Sequence, residues 1–219
     1  MLHARLADNA LLVDDEPLGT DLGLASGDVA DTTIQRLLTH RLRLPPRVTL
    51  GLLHLPGPRA RLPWFLPAQP NEMTQTLADS AAVALSRSAR VERVAVVPAM
   101  VLAQQRTIGA LREGAARVQA DLLMVYRPTC RLYERVPFIG SSQYRAVCTT
   151  EAVLLDTRSG VIPFSTVVNQ ESVTQHERED FDKEATWARV QRQAIIKGLM
   201  VVSANVATFL NNAPAESER

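Results

Sequence analysis

The stretch CRLYERVPFIGSSQYRAVC (130–148) opens and closes on the chain's only two cysteines. Strand-like runs lie on either side of its centre: DLLMVYRPTCRLYE (121–134) and QYRAVCTTEAVLLD (143–156), both rich in aliphatic, β-branched and aromatic residues. Between them, Pro137, Gly140, Ser141 and Ser142 supply the residues of a turn. An antiparallel hairpin with Cys130 facing Cys148 also sets Leu132 against Ala146, Tyr126 against Ala152 and Glu134 against Tyr144, all on one face. Directly opposed cysteines are close enough for a disulfide, and closing a loop of this size contributes about 3 kcal/mol. The expectation is a Cys130–Cys148 disulfide, and with it an oxidising compartment. The alternative is a pair of buried free thiols.

Working outward, DTTIQRLLTHRLR (31–43) predicts a helix. Thr32 and Gln35 have capping-box spacing, Ile34, Leu37, Leu38 and Leu42 follow helical spacing, and Pro45 and Pro46 are the stop. RVTLGLLHLP (47–56) reads as a buried strand and the Pro-rich GPRARLPWFLPAQP (57–70) as a loop. A second helix is expected over 71–88, with Met73, Leu77, Ala81 and Leu85 in line. A strand follows over 91–102, with Pro98 near its end, and a third helix over 107–120, carrying Ile108, Leu111, Ala115 and Val118 inward. After the hairpin, DTRSG (156–160) is a turn, 161–170 a third strand, and 171–184 a polar, acidic connection. A long helix fills 183–211, facing Trp187, Val190, Ala194, Leu199, Val202, Val206 and Leu210 inward.

The order is therefore α-β-α-β-α-β-β-β-α. The early alternation implies parallel crossovers and the later strands imply hairpins, so the fold class is α/β with a mixed parallel and antiparallel sheet packed by helices. Residues 1–30 read as an extended arm, 31–212 as one domain and 213–219 as a disordered tail.

The chain has 219 residues, is 46% hydrophobic and 21% charged, and carries a net charge of +1, so no overall field draws it to nucleic acid or anionic lipid. The basic cluster Arg36, His40, Arg41, Arg43 and Arg47 has no interleaved aromatics and reads as a solvated helix face. No apolar run approaches the ~18 residues of a membrane-spanning helix. The start, MLHARLADNALLVDDEPLG, lacks the basic head, apolar stretch and small-residue site of a signal peptide.

No catalytic, cofactor-binding or metal-binding constellation emerges. His3, His40, His54 and His176 are scattered, with no ligand or triad spacing. His54 reads as a satisfied core or edge histidine and His176 as solvated. There is no nucleophile elbow and no phosphate loop. The acidic groups Asp14–Asp15–Glu16 and Glu179, Asp180, Asp182, Glu184 match no calcium loop and read as charged surface. Trp64 and Phe65 in the Pro-rich loop, with Phe138 and Ile139 at the hairpin tip, are either a satellite core or a contact surface. Both loops are expected at the same end of the sheet.

The passages VERVAVVPA (91–99), VQADLLMVYR (118–127) and EAVLLDTRSGVIPFS (151–165) resemble the TolB amino-terminal and CsgG-like group of envelope lipoproteins, including its PelC-like and penicillin-binding-protein-activator-like members. In that group a helix ending near GAD or AAD feeds a central apolar strand, and the next strand ends in a short Asp-to-Gly turn. The resemblance covers roughly 47–210. It implies a non-enzymatic, periplasmic, outer-membrane-associated accessory protein with a protein partner or self-association. No catalytic residue or cofactor carries over. Two departures stand out: no lipobox cysteine is present, so membrane contact is expected only through a lipid anchor ahead of Met1, and the hairpin is shorter than those of the curli pore. The competing class is a small-ligand binder or enzyme with a cleft at the strand carboxyl ends. A cytoplasmic protein with separate, reduced cysteines is the third.

Overall fold

The structure is a computed structural model that describes residues 30–55, 70–98, 107–137, 142–177, 180 and 182–215, with no side chains before Thr76 in the helix that starts at Pro70. In chain order the elements are α1 Asp31–Thr39, β1 Val48–His54, α2 Pro70–Leu85, β2 Val91–Val96, α3 Ile108–Arg117, β3 Leu122–Arg135, β4 Gln143–Asp156, β5 Phe164–Gln175 and α4 Lys183–Asn212. The strands form one 5-stranded sheet in the order β2-β1-β3-β4-β5. β1 pairs parallel with β2 and β3, while β3–β4 and β4–β5 are antiparallel. The mixed α/β class and the element order are those the sequence predicts.

The β3–β4 ladder runs without a slip from Leu122↔Asp156 to Arg135↔Gln143, and Cys130 faces Cys148 within it. The two sulfurs are bonded, with the Cα atoms 4.1 Å apart. That spacing suits the closer, non-hydrogen-bonded type of antiparallel pair. Both cysteines lie on the face covered by α2 and α4, beside Tyr126, Tyr144 and Ala146. The opposite face packs Leu53, Leu123, Val125 and Leu155 on Leu111 and Ala115 of α3.

Two turns place these layers. After α3, the Ala120 N–H donates to Ala115 O and the Gln119 N–H to Ala116 O, the double closure that ends many helices. Gln119 holds φ 58, the left-handed region that favours glycine. After β4, Asp156 Oδ2 accepts the Ser159 N–H at 2.9 Å, and Gly160 takes φ 80. This is the Asp-to-Gly turn expected at 156–160.

Four expectations are corrected. Helix α1 ends at Thr39, not near 43; His40 is extended, and the N-cap is Ala30 with no side-chain cap, so Thr32 and Gln35 form no capping box. Tertiary pairing takes over from the helix here: Leu44 is buried, donates its N–H to Pro214 O and bridges Ala215. The apolar residues of α1 at helical spacing, Ile34, Leu37 and Leu38, are exposed, and no residue of the helix is buried. Strand β5 runs 164–175 in place of 161–170. It starts after Pro163 and continues into the polar segment because β4 offers partners as far as Gln143. Finally, α4 contains an 18-residue window of mean hydropathy 1.5, long and apolar enough by that measure to cross a membrane. Here it lies on the sheet, with Val190, Ala194, Leu199, Val202 and Val206 buried. Apolarity on more than one face belongs to a core helix as much as to a membrane span.

Candidate functional site

Trp64, Phe65, Phe138 and Ile139 lie outside the described residues. The strands that lead to them are described. β1 and β3 run parallel from Leu50↔Leu122 to His54↔Tyr126, so the chain leaves both toward the same end of the sheet. β3 then continues from Tyr126 to Arg135, roughly 30 Å further at ~3.4 Å per residue. The hairpin arm therefore projects well beyond the end of β1. Its far end is fixed to the start of α4: Lys183 Nζ lies 2.6 Å from Glu134 Oε2, and Trp187 meets Tyr144 edge-on at 5.0 Å.

A dense polar cluster joins β5 to α4, in the segment read as a polar, acidic connection. The Arg189 guanidinium grips Asp180 through two nitrogens, at 3.1 and 2.8 Å, and also donates to Thr174 Oγ1 and the Gln175 carbonyl. These bonds, together with the Glu177 N–H, hold the Asp180 carboxyl well below its ordinary range. Asp182 caps α4 by accepting the Ala185 N–H at 2.8 Å. His176 Nδ1 lies 2.8 Å from Thr186 Oγ1, and that hydroxyl donates to Asp180 Oδ2 at 2.9 Å. A hydroxyl, an imidazole and a carboxylate stand in sequence, but Thr186 is 0% exposed and its hydroxyl also lies 3.4 Å from the Asp182 carbonyl at the foot of the helix. The cluster anchors a helix start. Of the four acidic residues read as charged surface here, Asp180 and Asp182 have these structural partners, while Glu179 lies outside the described residues.

His54 faces Tyr126 in the parallel ladder with ring centroids 5.3 Å apart, as befits a histidine at a core edge. Burial pushes the Tyr126 phenol above its ordinary value. Arg127, 1% exposed, pairs with Glu151 across β3–β4 at 3.2 Å. Among the described residues no group of three or more His, Cys, Asp and Glu is placed to hold a metal ion.

Two clefts stand out among the described residues, neither anticipated by the sequence reading. One, of about 440 Å³, runs between α2 and α4; Val83, Ala84, Ile196 and Met200 are its apolar lining, and Val83 is 59% and Met200 45% exposed. The signal for it was present: Val83 stands off the Leu77–Ala81–Leu85 stripe, and Met200 and Val201 fall outside the inward set of α4. The other, of about 150 Å³, lies between α1, α3 and the β4–β5 turn. That turn adjoins the amino end of β3, since Asp156 pairs with Leu122, so this cleft is not at the strand carboxyl ends.

Neither a protein-family model nor a curated protein matches this sequence. Solved structures that resemble it include the hypothetical protein CT253 from Chlamydia trachomatis, at 9% identity over 75% of this chain and 98% of that one, with a TM-score of 0.44. A minor lipoprotein from Acinetobacter baumannii shares 11% identity over 80% and 99%, with a TM-score of 0.40. The PelC dodecamer from Paraburkholderia phytofirmans shares 14% over 75% and 91%, with a TM-score of 0.34. These likenesses are too loose to carry a role across.

Proposed function

We propose that this chain is a non-enzymatic accessory or scaffold protein of the bacterial periplasm, held at the outer membrane by a lipid anchor ahead of Met1 and supporting envelope assembly or export. The observation that carries the reading is the Cys130–Cys148 disulfide. Its cysteines face each other across the central hairpin and are buried under α4, with Cys148 0% exposed. A reducing cytoplasm keeps such pairs as thiols, and an oxidising envelope closes them. The sequence resemblance to envelope lipoproteins points the same way. Protein taken directly from cells, unfolded without reductant and alkylated, is expected to show no free thiol. Two free thiols overturn the compartment and the reading built on it.

The function is contact with a protein partner or a second copy, made through Trp64 and Phe65, through Phe138 and Ile139, or through both pairs. The parallel β1 and β3 support delivery of both loops to one end of the sheet, and aromatic side chains contribute strongly when they fill a partner's pocket. The double variant Trp64→Ser, Phe138→Ser is expected to keep its melting temperature within a few degrees and to lose assembly. A large loss of stability with assembly intact assigns these side chains to the core instead.

A further inference from the structure

We infer that the cleft between α1, α3 and the β4–β5 turn is a binding site for one small oxyanion, a phosphoryl or carboxylate group, free or at the end of a larger molecule. Arg36, His40, Arg112 and Arg158 converge on it from three elements, with Ser159 beside them. Their charges are poorly cancelled. Arg112 spends its bonds on neutral acceptors, the carbonyls of Thr157 and Arg158. Arg36 forms no ion pair among the described residues. Arg158 reaches Asp121 only at 3.5 Å, and that carboxylate already accepts the Thr49 N–H at 2.9 Å. His40 Nε2 is buried without a hydrogen-bond partner among the described residues. It lies 3.9 Å from an Asp156 oxygen that the Ser159 N–H and hydroxyl already occupy.

Three guanidinium groups brought together with so little acid repel one another, and an oxyanion relieves that repulsion while accepting their paired N–H donors. The volume of about 150 Å³ fits one such group and is below the ~300 Å³ at which pockets for whole drug-sized molecules begin. Leu37 and Val161 on the lining give an apolar shoulder for a larger molecule's next atoms. The anion would also explain the orientation of α1, which sets Arg36 and Leu37, with His40 just past its end, along the cleft and leaves Ile34 and Leu38 outside. Bound there, it ties α1 to α3 and the turn.

The test is titration calorimetry of the whole chain with inorganic phosphate at constant ionic strength set by chloride. A parallel arm measures binding to phosphatidylglycerol vesicles, with phosphatidylcholine vesicles as the blank. The variants are Arg36→Gln with Arg158→Gln, and Arg41→Gln with Arg43→Gln as an off-site control. Saturable phosphate binding that weakens at least tenfold in the first pair and not in the second supports a site for a free anion. Vesicle binding with the same variant pattern, without phosphate saturation, supports a site for a headgroup. No binding in either arm overturns the site, as does binding that survives Arg36→Gln with Arg158→Gln or falls equally in the control pair.

Discussion

Helix α4 and helix α1 both carry apolar residues at helical spacing. α4 buries Val190, Ala194, Leu199, Val202, Val206 and Leu210 against the sheet. α1 has the more sharply divided faces of the two, yet buries nothing, and Leu38 is 67% exposed. Periodicity shows that a helix has an apolar side; what covers that side is decided by the other elements. α4 meets β4, β5 and α2 along its length. At Gly198 the approach is tight: an added Cβ would sit 2.6 Å from Thr150 Oγ1. α1 instead sets Arg36 and Leu37 at the rim of a cleft.

The largest expected effect tests α4. Leu199 is 0% exposed, so Leu199→Ala removes packed atoms and leaves a cavity. Denaturant unfolding should show a loss of about 2–5 kcal/mol. A loss below about 1 kcal/mol would mean that α4 is held less tightly than its burial implies.

Next comes the disulfide beneath the same helix. Cys130→Ala with Cys148→Ala frees a loop of sequence separation 18, and the expected cost is about 3 kcal/mol from the unfolded chain's regained freedom. A shift in the denaturation midpoint of that size, with the β-sheet circular dichroism unchanged, sharpens the contrast: the α4 side of the sheet is stapled, and α1 has no comparable tie among the described residues. An unchanged midpoint would show that the β3–β4 ladder alone holds the register.

A smaller effect concerns the start of α4. The folded Asp180 carboxyl titrates below its ordinary value, chiefly because Arg189 donates to it. A depressed carboxylate contributes stability that is present above its unfolded pKa, ~3.9, and lost as pH falls through the folded value. Asp180→Asn should therefore lower the melting temperature at neutral pH, and the gap from the parent should shrink progressively below about pH 4. A gap independent of pH would assign the loss to packing and not to the Arg189 pair.

These predictions follow the line between what was legible in the sequence and what was not. The β3–β4 register was legible because two cysteines and a turn-forming loop leave one alignment that pairs them. The core of α4 was legible because it spans many turns. The bounds of β5 were not: Val167 and Val173 stand on its exposed face and Ser172 on the covered face with Phe164 and Val168, so the alternation is blurred, and pairing with β4 sets its length and register. The grip of Arg189 on Asp180 was hidden because an acidic segment looks the same in sequence whether its carboxylates meet water or one guanidinium. The basic cleft was hidden because Arg112 and Arg158 are far from Arg36 in sequence, and only the fold brings them together.

The smallest expected effect is the counterpart of the largest: the same leucine deletion made in α1. Leu38→Ala removes a side chain that is 67% exposed and packs no buried neighbour in its own helix. Most of the transfer term seen at Leu199 is therefore missing, and no cavity is left. Alanine is a slightly better helix former than leucine, which offsets part of what remains. In the isolated chain the change should stay within about 0.5 kcal/mol of zero, as exposed substitutions away from special features usually do. Repeating the measurement at high protein concentration gives the prediction its edge. If a second copy covers this face, stability becomes dependent on concentration in the parent and loses that dependence in Leu38→Ala, because only the associated state buries the leucine. If both proteins melt alike at every concentration, the outward face of α1 has no such cover, and the contrast with α4 holds in the protein as it exists in solution.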